Sequence, residues 1–324
     1  MENLINYFYS MPGAIAQGLI WGIMAIGVYI TFRILDIADL TVDGSICTGA
    51  AVCACLTTLG LPIPVAMICA VIAGMLAGLL TGIFHTAMGS PPILAGILTQ
   101  LILWSVNLKI MGAAVQKSSA ANLPLSIRNY KLIVSMLDMH KSLLVLQVVG
   151  IVLIALLYWL FGTELGASIR VTGANLSMSR AQGINVNFTK ILGLVLSNGI
   201  VALAGSLLAQ YQGNADINMG RGAIVIGLAA VIIGEALFGW LCRNNFALKL
   251  IAVALGGIVY FIVYSTVIYL GLDTNYLKAL SAILVALFLA VPYWKSRIAK
   301  GKTEDEDEAP VEKQEKKKGG KKHA

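Results

Sequence analysis

The sequence predicts an all-α integral membrane protein, built as an inverted repeat with interrupted helices, and three observations carry that prediction. Of 324 residues, 58% are apolar and 12% charged, whereas an ordinary globular chain carries about 25% charge. The apolar residues gather into about nine runs long enough to approach a membrane crossing. Sliding the chain on itself by 178 positions superposes Gly27 on Gly205, Gly44 on Gly222, Gly49 on Gly227 and Gly78 on Gly256.

A helix needs roughly 20 mostly apolar residues to cross the hydrocarbon, where no water is present to satisfy its backbone. By that measure the spans lie near 12–32, 42–59, 63–88, 92–112, 142–161, 187–210, 222–241, 248–270 and 275–293. That is about nine, with roughly eight to ten as bounds. The second is short and interrupted by glycines, and the fourth carries Thr99, Gln100, Ser105 and Asn107, so both are candidates for broken or re-entrant helices. Residues 1–294 thus form one membrane domain. Residues 295–324 hold ten of the 23 Lys and Arg against seven acids and read as a disordered cytoplasmic tail. That solvated terminus contributes +3 of the net charge of +7, and no basic face for nucleic acid is predicted. The N-terminus, MENLINYFYS, lacks the basic start of a cleavable signal peptide.

Lysine and arginine near span ends mark the cytoplasmic side. With the tail inside, Arg33, the 162–190 stretch carrying Arg170, Arg180 and Lys190, and the loop with Arg243 and Lys249 all face the cytoplasm, and the N-terminus lies outside. The 113–141 loop runs against this rule, because Lys117, Arg128, Lys131 and Lys141 are then external. Long loops weigh less, and this one suggests a small external cap.

The two repeat copies begin five spans apart, an odd number, which inserts them in opposite orientations. Repeats of that kind place a path at the midplane between interrupted helices. The predicted interruptions are LDIADLTVDGSICTGAA (35–51) and QYQGNADINMGRGAIVIGLAA (210–230). Asp36, Asp39, Asp43 and Asp216 set acids beside them, either to line a path or to cap helix N-termini, where a carboxylate suits the dipole. Asn107 and Asn198 are costly in lipid and must face protein or a path. Gln100 and Trp104 share the helical face of Asn107, at spacings of four and three. Asp39, Asp43, Gln100, Trp104, Asn107 and Asn198 are the candidate path residues, with interhelical hydrogen bonding as the competing role. Glu235, near the inner end of the seventh span, has Arg170 and Arg180 as candidate partners.

Other chemistries find little footing. Cys47, Cys53, Cys55, Cys69 and Cys242 lie in or beside apolar runs without a paired C-x-x-C, and His85, His140 and His323 are scattered. No metal site, disulfide framework or catalytic constellation is expected from them. KGKT at 300–303 echoes the end of a phosphate loop, yet Ser296 stands where its first glycine belongs, and no strand precedes it. The chain itself is expected to hold no cofactor and to be no enzyme.

The largest inward loop before the tail is TELGASIRVTGANLSMSRAQGINV, residues 163–186, with a short helix predicted from about Asn175 to Gln182 between Gly173 and Gly183 as stops. Thr163, Gly166, Arg170, Gly173 and Asn175, then Gly183 and Ile184, resemble the cytoplasmic loop of permease subunits in the branched-chain amino acid and ribose class of ABC importers. That loop reads T-x-x-G-x-x-x-R-A-x-G-x-N, then A-x-x-x-G-I, and Val171 replaces its alanine. DLTVDGS (39–45) is similar to the D-L-S-V-G-S element of the sugar members with Asp43 inserted. VIIGEALFG (231–239) is similar to I-I-G-G-x-x-x-x-G, with Glu235 replacing the second glycine. The compact form with ADLTVDGS looks most like the tryptophan and tyrosine type of branch.

This resemblance implies that Thr163, Gly166, Arg170, Gly173, Asn175, Arg180 and Gly183 form or flank a coupling helix docked on a separate cytoplasmic ABC ATPase, which binds ATP and Mg. It implies a second permease copy, as a homodimer, an external substrate-binding protein, and residence in a bacterial inner membrane. The implied solute is an amino acid, aromatic first or branched-chain. The alternatives are a sugar or nucleoside permease of the same class and a carrier driven by an ion gradient. Inverted repeats suit that carrier equally well, but it leaves residues 163–186 without a purpose.

Overall fold

The computed structural model describes residues 2–125, 130, 132–239 and 245–269, with 279, 282, 283, 286 and 290 as isolated positions. The chain runs as α1 (Glu2–Tyr29) with a π-helical turn at Ile30–Ile34, α2 (Val42–Thr58), α3 (Ile63–Thr86), α4 (Pro92–Ala114), β1 (Asn122–Pro124), α5 (Met139–Gly162), α6 (Glu164–Ala174), α7 (Leu176–Ala181), α8 (Val186–Gln212), β2 (Asn214–Asp216), α9 (Ala223–Phe238) and α10 (Phe246–Tyr269). Six of these helices are long and apolar enough to cross a membrane. The ninth predicted span, near 275–293, and the tail fall outside the described residues apart from those isolated positions.

The remaining two apolar helices, α2 and α9, are 17 and 16 residues long, short of the roughly 20 that a crossing takes. Each starts part-way through the protein, after an irregular stretch. Irregular backbone at membrane depth survives only where protein surrounds it, and Asp39 and Thr41, ahead of α2, are buried. The fourth predicted span, by contrast, is not broken: α4 is continuous from Pro92 to Ala114. Of its polar residues, Thr99 is satisfied within the helix, its hydroxyl donating to the Ala95 carbonyl at 3.0 Å.

The repeat is visible in the packing. α1 lies along α10 and α9, as α8 lies along α3 and α2, which is the relation expected when α1, α2 and α3 correspond to α8, α9 and α10. The close approaches follow the same displacement: Gly49 sits against Ala202, and Gly227 sits against Met24. At Gly49 the contact is with backbone, so a Cβ there would overlap the Ala202 carbonyl. Small residues let helices approach this closely where there is no hydrophobic drive between them.

The two ends of the bundle differ. At one end Arg33, Arg170 and Lys249 gather around a single cavity, and Thr172 of α6 bonds Thr189 of α8 at 2.9 Å. At the far end of α8, β2 pairs antiparallel with β1 in the register Leu123↔Ala215, and Leu123, Leu125, Ala209 and Ile217 pack beneath the strands. The loops expected inside and outside therefore sort to opposite ends of the bundle. The expected cap takes the form of a two-stranded tie between the two repeats.

Candidate functional site

The residues between α1 and α2 build a closed polar network. Thr41 N–H donates to Asp39 Oδ1 at 2.9 Å and Asn198 Nδ2 donates to Asp39 Oδ2 at 2.7 Å. Asn198 Nδ2 also donates to the Leu194 carbonyl at 3.0 Å, and Ser45 Oγ donates to Asn198 Oδ1 at 2.6 Å. From Thr41, hydroxyls continue to Thr81 on α3 and on to Thr99 on α4, at 2.7 and 2.9 Å. Asp39 is 2% exposed and Asn198 is fully buried. This network pins the start of α2 to α8, α3 and α4. Every amide and carboxylate atom in it has a partner, which is what burial at this depth demands.

Asp43 does something else. It lies in the first turn of α2, and its carboxylate accepts the Gly222 and Ile224 N–H groups, each at 3.0 Å. It therefore caps α9, a helix from the other repeat, rather than its own. Gly222 takes φ +81 to make that turn, a conformation glycine adopts without strain. Two N–H groups at the start of α9 and the positive end of its dipole converge on this one anion. Of the other acids, Asp216 accepts the Asn218 N–H at 2.6 Å in a turn of its own, and Asp36 occupies a left-handed turn at φ +57.

Beside Asp43 lies a cavity of about 350 Å³ lined by Gly44, Cys47, Gln100, Trp104, Asn107 and Arg221, with Leu101 and Ile217, within the roughly 300–1,000 Å³ of small-molecule pockets. Four of the six predicted path residues meet here: Asp43, Gln100, Trp104 and Asn107. Asp39 and Asn198 are held instead in the closed network. Asn107 is 1% exposed, yet neither its side-chain oxygen nor its nitrogen has a partner among the described residues. A second cavity of about 290 Å³ shares Arg221 and Gly222 and is walled by Trp21, Tyr260, Phe261 and Tyr264.

At the Arg33 end, Thr163 caps α6 by accepting the Gly166 N–H at 3.5 Å, and Asn175 caps α7 by accepting the Met178 N–H at 3.0 Å. Gly183 closes α7 at φ +77. Gly173 does not stop a helix as the sequence reading had it. It lies within α6 and touches the end of the α1 π-turn, where a Cβ would overlap the Ile34 carbonyl. Arg170 donates to the Phe161 carbonyl at 2.9 Å. Glu235 pairs with neither Arg170 nor Arg180 but with Arg33, at 3.0 Å. Arg33 lies in the π-helical turn at the end of α1, so the pair joins that turn to α9. On α7, Leu176 and Met178 stand exposed beside Arg180.

Residues 10–291 match the family described as "Branched-chain amino acid transport system / permease component". The chain belongs to this permease family. The permease is 38% identical, over 85% of its length and 88% of the relative's, to the tyrosine transport system permease protein of Clostridioides difficile. It is 36% identical, over 86% of its length and 95% of the relative's, to an uncharacterised protein of Rickettsia prowazekii. The ribose import permease RbsC of Escherichia coli is 28% identical over 44% of this chain and 43% of its own. The permease is accordingly a multi-pass membrane subunit of an ABC-type transport system.

Among the lining residues of its first cavity that the sequence reading did not assign to a path are Arg221, Cys47, Leu101 and Ile217. Cys47 Sγ accepts the Gly220 N–H at 3.2 Å and donates to the Ile217 carbonyl at 3.3 Å, so both belong to the joint between repeats. For Arg221 a signal was available. The displacement that superposes Gly44 on Gly222 also superposes Asp43 on Arg221.

Proposed function

We propose that the permease carries an amino acid inward, an aromatic one first, driven by ATP that separate cytoplasmic ABC ATPase subunits hydrolyse with Mg. The chain itself performs no chemistry and holds no cofactor in this reading. An external binding protein delivers the solute. The Arg33 end faces the cytoplasm of a bacterium, with the N-terminus outside and the permease in the inner membrane.

One observation carries the coupling half of this reading. α7 is a six-residue helix, set on caps and glycine contacts, that shows Leu176, Met178 and Arg180 to its surroundings. Apolar side chains presented at a polar membrane face mark an interaction site, and the adjacent Arg180 suits an acidic cleft. For the solute, support comes from the tyrosine permease relative. A second permease copy is part of the proposal too. Trp104 and Leu101 line the first cavity from an exposed flank of α4, so another subunit there would complete its wall.

The test is purification from detergent followed by reconstitution. The permease co-purifies with an ATPase subunit, and vesicles holding the complex accumulate L-tyrosine when supplied with ATP and the binding protein. Accumulation by the permease alone on an ion gradient would reject the reading in favour of a secondary carrier.

A further inference from the structure

The first cavity carries two opposite charges and one unsatisfied amide, and those three groups describe a ligand. Inverted symmetry brings equivalent positions together at the centre, and here the two equivalents, Asp43 and Arg221, are an acid and a base lining one space. No ion pair joins them among the described residues. The Asp43 carboxylate uses one acceptor site on each oxygen for the α9 N–H groups, and a carboxylate has about four such sites, so it can accept more. Arg221 is exposed to the cavity with its planar fork of donors.

Asn107 supplies the decisive group. Asn107 lines this cavity, and its buried amide lacks any partner among the described residues. A buried amide left without partners is unfavourable, and a ligand that bonds it relieves that cost. An amide offers an acceptor and two donors side by side. That is the complement of a molecule presenting an ammonium next to a carboxylate.

We propose that this cavity is the permease's own seat for a zwitterionic α-amino acid, with Asp43 taking the ammonium, Arg221 the carboxylate, Asn107 bridging both, and Trp104 against the side chain. The inference rests on the importer reading and deepens it. The selecting chemistry is in the permease as well as in the binding protein. A neutral polyol would meet two charges it cannot pair.

The test uses the purified permease–ATPase complex without binding protein, and equilibrium dialysis against three probes: L-tyrosine, tyramine (which lacks the carboxylate) and 3-(4-hydroxyphenyl)propionate (which lacks the ammonium). L-tyrosine binds most tightly. Arg221→Gln weakens L-tyrosine and the propionate by about tenfold and leaves tyramine unchanged. Asp43→Asn weakens L-tyrosine and tyramine by about tenfold and leaves the propionate unchanged. A folding defect would weaken all three alike, and that pattern counts against the seat. So does failure of the wild-type complex to bind L-tyrosine at millimolar concentration. If vesicles take up L-tyrosine with ATP while both variants bind every probe like the wild type, the seat is wrong and the importer reading stands. ATP-driven uptake of D-ribose and of no amino acid overturns both.

Discussion

Asn198 on α8 and Asn107 on α4 are the same chemical group at almost the same burial, and the permease treats them in opposite ways. The Asn198 amide has both ends occupied, by Asp39, Leu194 and Ser45. The Asn107 amide has neither end occupied among the described residues. Polarity within an apolar span therefore identifies a residue that must be explained, but satisfaction decides which explanation applies. A filled amide is a fastener, and an unfilled one beside a cavity is where a ligand is proposed.

The largest expected effect comes from removing the fastener. Asn198→Ala strips one donor from a buried carboxylate and leaves the Ser45 hydroxyl without its acceptor, a loss of about 3 kcal/mol. Thermal unfolding in detergent is lowered and membrane abundance drops. Asn107→Ala changes stability by less than about 1 kcal/mol, because it deletes a group that makes no bond, while ATP-driven uptake falls. Equal destabilisation by the two substitutions would erase the distinction.

Much of this was legible in the sequence, and the part that was not has a physical cause. Spans follow from hydropathy because the bilayer imposes one rule on every backbone group, so eight of the nine predicted segments appear as helices in the described residues. The repeat was also legible, since Gly49 and Gly227, 178 positions apart, sit against Ala202 and Met24, which are 178 positions apart as well. Asp39 and Asp43 were not separable by reading. They lie four residues apart with similar neighbours, and only the fold directs one to Asn198 on α8 and the other to the start of α9. The partner of Glu235 was beyond reach too, because Arg33 lies 202 positions away and only the fold sets α1 beside α9.

The Arg33 end repeats the contrast at smaller scale. α6 is consumed by internal contacts, with Gly173 seated on the end of α1 and Thr172 bonded to Thr189, whereas the outward face of α7, with Leu176, Met178 and Arg180, stays exposed among the described residues. Changing Met178→Asp together with Arg180→Glu should leave the unfolding temperature unaltered and abolish solute-stimulated ATP hydrolysis by the assembled complex. Gly173→Leu should lower both, because it displaces α6 from Ile34. If the α7 double variant still hydrolyses ATP in response to solute, α7 is not the docking element.

The smallest effect belongs to Arg33 and Glu235. Their bond is short, at 3.0 Å, but the side chains are 59% and 39% exposed, and an ion pair in that setting is worth about 0.2–1 kcal/mol. A double-mutant cycle with Arg33→Gln and Glu235→Gln, read from thermal unfolding, should return a coupling near the lower figure and lose it in high salt. A coupling of several kcal/mol that persists in salt would place the pair in a low-dielectric setting. It would then hold α1 to α9 as firmly as Asn198 holds α8 to the start of α2. The exposure argues for a loose pair, one that the packing of α1 against α9 does not depend on.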